Sequence, residues 1–359
     1  MRPIVHQFDI DGELISIVEL RGGHIHDSYV AVIQTAAGPR RFVLQRINTT
    51  IFTDVDGLME NIARVTDHLR RRLSDLNAVE LDRRVPTLVP TRAGPMVHRA
   101  PDGSSWRMTQ FIERSTAIEF HRSPADAERA GQAFGELHAM LADLPSSSLG
   151  ETIPRFHDTP RRVAVLEQAL AVDSHHRAEE AHAEIEYALS RRSLADALIG
   201  PLQRGELPLR IAHNDAKLSN VLLDADSGEP LCVVDLDTVM PGTVLFDFGD
   251  MMRTMLCAAA EDEPDLSKVR ITPAMFAALA RRYLAATRDF LAQPERDRLV
   301  TAGRVITYEQ GVRFLTDYLL GDAYYRTTRP GQNLDRCRVQ FALLKQFEQH
   351  RGDFESCIA

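Results

Sequence analysis

The first third of the chain alternates short runs of β-branched and aromatic residues with polar turns, a pattern that predicts β-strands. Gly22-Gly23 and Ala37-Gly38-Pro39 separate the first three runs, as turns between paired strands would. Apolar residues then recur at helical spacing over one stretch, so the predicted order is β-β-β-α-β-β. The strands are predicted over Ile15–Leu20, Ser28–Gln34, Phe42–Ile47, Val85–Val89 and Trp106–Ile112, and the helix over Asp54–Leu73.

After about residue 115 the hydrophobic pattern becomes helical. Ser123-Pro124 supplies an N-cap followed by proline at the first helical position. A compact β segment from Ile211 to Val239 interrupts the helices, with a hairpin predicted through Asp226-Ser227-Gly228. We therefore expect an α+β protein with a β-rich N-terminal lobe over 1–112 and a mainly helical C-terminal lobe over 113–359.

Composition narrows the classes of partner. The 359 residues carry a formal net charge of −9, which argues against a polyanion-binding surface. The four cysteines form no CxxC pair, and no run of residues is apolar enough for a secretory leader or a membrane span. We expect reduced thiols, a cytoplasmic location and a small-molecule substrate, with no nucleic acid, membrane or obligate protein partner.

The strongest chemical signal is the string HNDAKLSN over 213–220, followed by VVDLD over 233–237. His213, Asp215 and Asn220 have the H-x-D-x-x-x-x-N spacing of a protein-kinase catalytic loop. Phosphoryl transfer passes through a highly charged, loose transition state, so catalysis is mostly positioning and charge neutralisation. The pattern therefore predicts a kinase active site.

Each residue type in this pattern suits a part of that chemistry. Asp215 would accept or orient the proton of the attacking hydroxyl, while Asn220 and Asp235 would supply oxygen ligands to Mg²⁺ on the nucleotide phosphates. Lys217 is either a catalytic cation near the transferred phosphate or a solvated loop lysine. Asp237 lies two residues beyond Asp235, on the same side of a strand, and either assists the metal or holds the loop.

Asp247-Phe248-Gly249 spells the kinase D-F-G triplet, yet it follows Asp235 by twelve residues. The spacing from Asn220 favours Asp235 as the metal ligand, because a β-hairpin fits between them. Asp247 is interpreted as a helix-capping or loop-bracing residue.

The N-terminal lobe offers weaker candidates for nucleotide binding. Gly22 and Gly23 form either a plain hairpin turn or a lid whose N–H groups cover phosphates. Arg46 stands on the third strand, where a kinase places its phosphate-pairing lysine, and Glu60 is either the carboxylate that holds Arg46 or a surface residue. The segment from Gln110 to Ile112 ends the last strand and would read adenine through its backbone.

These strings resemble the aminoglycoside phosphotransferase and choline kinase superfamily, whose members have a protein-kinase-like two-lobe fold and phosphorylate small molecules. Longer strings are similar to its N-acetylhexosamine 1-kinase branch. They are GGHIHDSYV (22–30), FVLQRIN (42–48), LMENIARVTDHL (58–69), VVDLDTVMPG (233–242) and YEQGVRFLTDYLLGDAYY (308–325).

The resemblance implies transfer of the γ-phosphate of ATP, with Mg²⁺, to the anomeric hydroxyl of GlcNAc or GalNAc. It implies Asp215 as the base, Asn220 and Asp235 as metal ligands, and His24, Arg313 and Tyr324 as contacts to the amino sugar. His26 departs from the family, which usually has Asn there, and so do Ala216 and Ser219 in the catalytic loop. Kinases of another sugar, an aminoglycoside, choline or homoserine remain alternatives, as does a non-catalytic kinase-like binding module.

Overall fold

The computed structural model describes residues 1–20, 25–118 and 123–358 of the chain. Its described helices, numbered in chain order, are α1 (Arg2–Val5), α2 (Val55–Asp75), α3 (Leu81–Arg84), α4 (Pro124–Leu141), α5 (Thr159–Val172), α6 (His182–Ser190), α7 (Asp196–Gln203), α8 (Val244–Met255), α9 (Pro273–Thr287), α10 (Gln293–Arg296), α11 (Leu299–Leu319), α12 (Gln332–Gln349) and α13 (Arg351–Ile358). The strands are β1 (Glu13–Glu19), β2 (Asp27–Thr35), β3 (Gly38–Ile47), β4 (His98–Arg99), β5 (Ser105–Gln110), β6 (Ser115–Ala117), β7 (Arg210–Ala212), β8 (Val221–Asp224), β9 (Pro230–Val233) and β10 (Met240–Gly242).

The chain divides into two compact units. The sheet unit comprises Met1–Thr116, Asp143–Pro154 and Leu222–Pro241. The helical unit comprises Ala117–Ala142, Arg155–Val221 and Gly242–Ala359. The sheet unit thus includes two segments from later in the chain. Two ion pairs hold the segment Leu222–Pro241 in this unit: Arg83 contacts Asp224 at 2.6 Å, and Arg107 contacts Asp237 at 2.6 Å.

An antiparallel sheet of order β1-β2-β3-β5-β4 forms the centre of the sheet unit. One face packs an apolar core that includes Phe42, Leu44, Trp106 and Met108. The first three predicted strands, the helix α2 and the strand β5 are confirmed. The predicted strand over Val85–Val89 is wrong: this segment makes only one isolated bridge, from Leu88 to Thr109, because Pro86 and Pro90 supply no N–H for a ladder.

The helical unit is built around α11, which packs against α5, α8 and α12, while α4 packs against α9. Ser123 caps α4 as the sequence predicts, and it forms a capping box with Asp126. Most of α11 is buried on every side, so this helix is a core element. Among the helices that the structure describes, none combines the length and the apolar character that a membrane crossing requires.

Candidate active site

The predicted catalytic loop lies in the helical unit, directly after β7. Asp215 Oδ2 accepts a hydrogen bond from Lys217 Nζ at 2.8 Å and another from Asn220 Nδ2 at 3.1 Å. Asn220 Nδ2 also donates to the backbone carbonyl of Asp215 at 2.9 Å, because a short 3₁₀ helix over Leu218–Asn220 turns the chain back on itself. The loop therefore brings three predicted site residues into direct contact.

This environment keeps the Asp215 carboxylate ionised. Burial by itself would raise the pKa of Asp215, but the positive charge and hydrogen bond of Lys217 outweigh it, so the net pKa is lowered from the ordinary value of 3.8. An ionised carboxylate accepts a hydrogen bond from a hydroxyl, which suits orientation of an attacking alcohol. Lys217 is thus bound to Asp215 rather than being an isolated surface lysine.

Asp247 braces the backbone at the start of the loop. Its two oxygens accept the N–H groups of His213 and Asn214, each at 2.6 Å. Asn214 has φ of 65°, a left-handed conformation that few residues other than glycine adopt without support. The cap of α8 is Thr243, whereas Asp247 lies inside the first turn of that helix, so the loop-bracing interpretation describes its contacts and the capping one is wrong.

A buried hydrogen-bond chain holds Asp247 in turn. His138 Nε2 donates to Asp247 at 2.7 Å, and His138 Nδ1 lies 3.0 Å from the hydroxyl of Tyr283. Burial raises the pKa of Tyr283 well above 10.0, so its hydroxyl stays protonated and donates to His138. Sequence reasoning missed His138 and Tyr283, because neither shares a local motif with the catalytic loop.

The D-F-G triplet has a packing explanation at its position in α8. Phe248 is fully buried, and a Cβ on Gly249 would lie 2.5 Å from the carbonyl oxygen of Ala302 in α11. Only glycine lets these two helices approach so closely. Together with the bracing role of Asp247, this gives each of the three residues a structural function.

Arg313, predicted to contact the acceptor, lies on α11 among aromatic rings. Its guanidinium lies 5.3 Å from the ring centre of Phe156 and 5.6 Å from that of Tyr325, and it donates to Gln310 at 3.1 Å. Tyr324 is 59% exposed. Tyr325, which the sequence analysis did not choose, has the half-buried ring that stacks beside Arg313.

Polar groups surround Arg313 in this cluster. Glu309 accepts hydrogen bonds from His157 Nδ1 at 2.8 Å and from Thr159 at 2.5 Å. His157 Nε2 is buried without a hydrogen-bond partner among the described residues. Burial lowers the pKa of Arg162, and the like charge of Arg313 lowers it further.

Arg253 connects this cluster electrostatically to the catalytic loop. It forms ion pairs with Asp250 at 2.8 Å and with Glu261 at 3.0 Å. Burial lowers the pKa of Arg253, but these two carboxylates and Asp215 outweigh it and raise the pKa. Burial and the like charge of Arg253 lower the pKa of Arg313, but Tyr325 and Glu309 outweigh them and raise it.

The predicted metal ligand Asp235 lies in the sheet unit, where the chain leaves β9. Asp235 has φ of 61° and precedes a 3₁₀ helix over Leu236–Thr238. The expectation that Asp235 and Asp237 share one side of a strand is therefore wrong, because the strand ends at Val233. The carboxylate of Asp237 instead accepts two hydrogen bonds from Arg107, both at 2.6 Å.

Arg46 and Glu60 do not pair in the described residues. Arg46 lies 3.7 Å from Asp27, and Glu60 lies 3.3 Å from Arg64 on its own helix. Successive side chains of a strand point to opposite faces, so Gln45 rather than Arg46 shares a face with Arg107. Of the two alternatives for Glu60, the structure therefore supports the surface residue, and a nucleotide contact of Arg46 or Glu60 stays a prediction.

Of the remaining predicted nucleotide contacts, the structure describes Gln110 and Ile112. Gln110 is the last residue of β5, and its side chain accepts a hydrogen bond from Arg40 at 2.9 Å. The Ile112 carbonyl accepts the Ser115 hydroxyl at 2.6 Å. Gly22, Gly23 and His24 lie outside the described residues.

Comparison with models of known protein families gives one match for this chain. Residues 16–292, more than half of the chain, match the model of the phosphotransferase enzyme family. The chain belongs to this family. Asp215, Asn220 and Asp235 all lie inside the matched region.

Solved structures of low sequence identity share the fold of this phosphotransferase. An aminoglycoside phosphotransferase homologue from Ralstonia eutropha JMP134 is 11% identical, with a TM-score of 0.56 over 98% of this chain and 97% of its own. Spectinomycin phosphotransferase in complex with ADP and spectinomycin is 11% identical, with a TM-score of 0.54 over 97% of each chain. Choline kinase from Cryptosporidium parvum Iowa II is 13% identical, with a TM-score of 0.53 over 98% of this chain and 97% of its own.

The phosphotransferase therefore has the kinase-like fold of aminoglycoside phosphotransferases and choline kinases, with an antiparallel sheet and a helical lobe. The predicted fold class is confirmed.

Proposed function

We propose that the protein is an ATP- and Mg²⁺-dependent kinase that phosphorylates the anomeric hydroxyl of N-acetylhexosamines, GlcNAc or GalNAc. One observation carries the phosphoryl-transfer part: the ionised Asp215, bonded to Lys217 at 2.8 Å and to Asn220 at 3.1 Å, in a family of phosphotransferases. The acceptor hydroxyl donates its hydrogen bond to Asp215 and is thereby oriented for attack on the γ-phosphate.

The donor set suits Mg²⁺. Asn220 uses its Nδ2 for Asp215, which leaves Oδ1 as an oxygen ligand, and Asp235 offers a carboxylate. Carboxylate and amide oxygens are the ligands that Mg²⁺ takes in nucleotide sites. When bound, the metal neutralises charge on the phosphates. The lobe over 1–112 would hold the nucleotide, with Arg46, Gln110 and Ile112 among its contacts, and the lobe over 113–359 the acceptor.

The charge around Arg313 supports a neutral acceptor over a polycationic one. The like charge of Arg313 acts on Arg162 and that of Arg253 acts on Arg313, while among the described residues no carboxylate forms an ion pair with Arg162 or Arg313. Arg162 and Arg313 disfavour an aminoglycoside, whose ammonium groups they would repel. Guanidinium N–H groups and the Tyr325 ring suit the hydroxyl and acetamido oxygens and the apolar face of a sugar.

The test is an acceptor panel. ADP release would be measured with ATP and Mg²⁺ over GlcNAc, GalNAc, glucose, galactose, choline, homoserine and kanamycin, with ³¹P NMR of each product. A 1-phosphate of an N-acetylhexosamine is the expected result. Turnover with another acceptor alone would reject the sugar assignment and keep the kinase assignment. ATP binding without turnover on any acceptor would favour the non-catalytic alternative.

A further inference from the structure

A buried polar network in the sheet unit holds the segment that carries Asp235. Ser28, Gln45 and Arg107 lie side by side on adjacent strands, in one row across one face of the sheet. Gln45 donates to Ser28 at 3.1 Å and accepts from Arg107 at 2.9 Å. Arg107 then donates two parallel hydrogen bonds to Asp237, so the row ends two residues beyond Asp235.

His26 closes the network from the other side of Asp237. Its Nδ1 accepts the backbone N–H of Asn48 at 3.0 Å, so a neutral imidazole carries its proton on Nε2. Nε2 lies 3.3 Å from Asp237 Oδ1, within ion-pair distance but without the geometry of a hydrogen bond. This chain thus has a histidine at position 26, where the family that it resembles usually has Asn.

The network uses both oxygens of Asp237 and shields them from solvent. Asp237 is 2% exposed and Arg107 4% exposed. Both oxygens of Asp237 accept hydrogen bonds from the Arg107 guanidinium. This arrangement favours the role in which Asp237 holds the loop over the role in which it assists the metal.

The backbone at Asp235 needs this support. Its strained φ of 61° must be held by the surroundings. Arg107 on β5 holds Asp237, two residues beyond Asp235, and Asn61 of α2 donates to the Val239 carbonyl at 3.1 Å.

We propose that Arg107 and His26, acting through Asp237, position Asp235 for the metal-bound nucleotide. The inference rests on the proposed function, because it takes Asp235 as a metal ligand. Arg107, His26 and Asp237 are positioning residues, since they act on the metal through Asp235.

The experiment measures metal affinity without turnover. Mn²⁺ would be titrated by EPR into the full chain with a non-hydrolysable ATP analogue and no acceptor, for wild type, Arg107→Lys, His26→Ala and His26→Gln. Loss of an outer-shell partner weakens metal binding about 10- to 100-fold. We expect that loss in Arg107→Lys, because lysine cannot make the two parallel bonds. We expect a smaller loss in His26→Ala, and recovery in His26→Gln, whose amide restores a donor near Nε2.

Two further variants calibrate the result. Asp235→Asn should lose Mn²⁺ binding. Arg210→Lys breaks a similar but partly buried guanidinium fork, with bonds of 2.7 and 2.8 Å to Glu295, in the other unit. It should lower the Tm without changing Mn²⁺ affinity.

Two outcomes would overturn the inference. If Arg107→Lys and His26→Ala bind Mn²⁺ as tightly as wild type while Asp235→Asn does not, the trio has only a structural role and the proposed function stands. If Asp235→Asn binds Mn²⁺ as wild type does, the metal assignment in the proposed function fails, and the inference fails with it.

Discussion

The Asp247 carboxylate accepts the backbone N–H of His213 at 2.6 Å, across 34 positions of sequence. A residue of α8 thereby fixes the start of the loop that carries Asp215. The buried His138 and Tyr283 complete this support from α4 and α9. The loop is thus held by three helices of its own unit.

Asp247→Asn should destabilise the helical unit. The amide keeps the shape but offers one oxygen, so one of the two N–H donors from His213 and Asn214 faces an NH₂ group. Loss of a buried charged partner costs about 3–5 kcal/mol of the free energy of unfolding. Urea unfolding would measure this loss. Asp289→Asn, the same change at an 89% exposed residue, serves as the control and should be neutral.

The same variant should change the acid sensitivity of folding. Hydrogen bonds and charge from His138 and His213 outweigh burial and lower the folded-state pKa of Asp247 below its ordinary 3.8. A lowered pKa adds stability above the unfolded value, and that stability is lost as the pH falls toward the folded pKa. The wild type should therefore lose its advantage over Asp247→Asn in acid. An advantage that stays constant with pH would contradict the assignment of an ionised Asp247.

Asp215→Asn should abolish most of the phosphoryl transfer. It removes the ionised acceptor for the attacking hydroxyl while keeping the side-chain shape, and a positioned base contributes about 10²- to 10⁴-fold to the rate. Steady-state kcat would show the loss, while ATP binding by calorimetry should hardly change. Nearly unchanged turnover would remove Asp215 from the catalytic assignment.

Lys217→Met should move the acid limb of the pH profile to higher pH. The ammonium group, 2.8 Å from Asp215, is the largest influence that opposes burial, so its removal raises the pKa of Asp215. The wild type should keep its activity to a lower pH than the variant, because the pKa of its base lies below the ordinary carboxyl value. The test is kcat/KM against pH, with Lys268→Met at a 61% exposed lysine as the control. Superimposable profiles for Lys217→Met and wild type would rule out this role.

Arg313→Ala should raise the KM for the acceptor and leave the KM for ATP unchanged. A hydrogen bond from a charged group contributes about 1.5–3 kcal/mol, which corresponds to roughly a 10- to 100-fold change. Arg288→Ala, at a 76% exposed arginine, is the matched control. A rise confined to the KM for ATP would place the acceptor elsewhere.

Local sequence determined the elements and the reactive loop. The period-2 runs predicted β1, β2, β3 and β5, the Ser123-Pro124 pair fixed the start of α4, and the spacing of His213, Asp215 and Asn220 predicted contacts within one short loop. These features depend on interactions between residues a few positions apart, so the local sequence is enough to predict them.

Tertiary structure decided the long-range partners. Arg107 meets Asp237 across 130 positions, and Asp247 meets His213 across 34. Successive residues of β3 point to opposite faces, so Gln45 contacts Arg107 while Arg46 lies 3.7 Å from Asp27, and Glu60 pairs with Arg64 on its own helix. Pro86 and Pro90 likewise prevent a strand over 85–89, where only Leu88 forms a bridge. Residue types determine which charges a chain carries, but only the packing of strands and helices determines which of those charges meet.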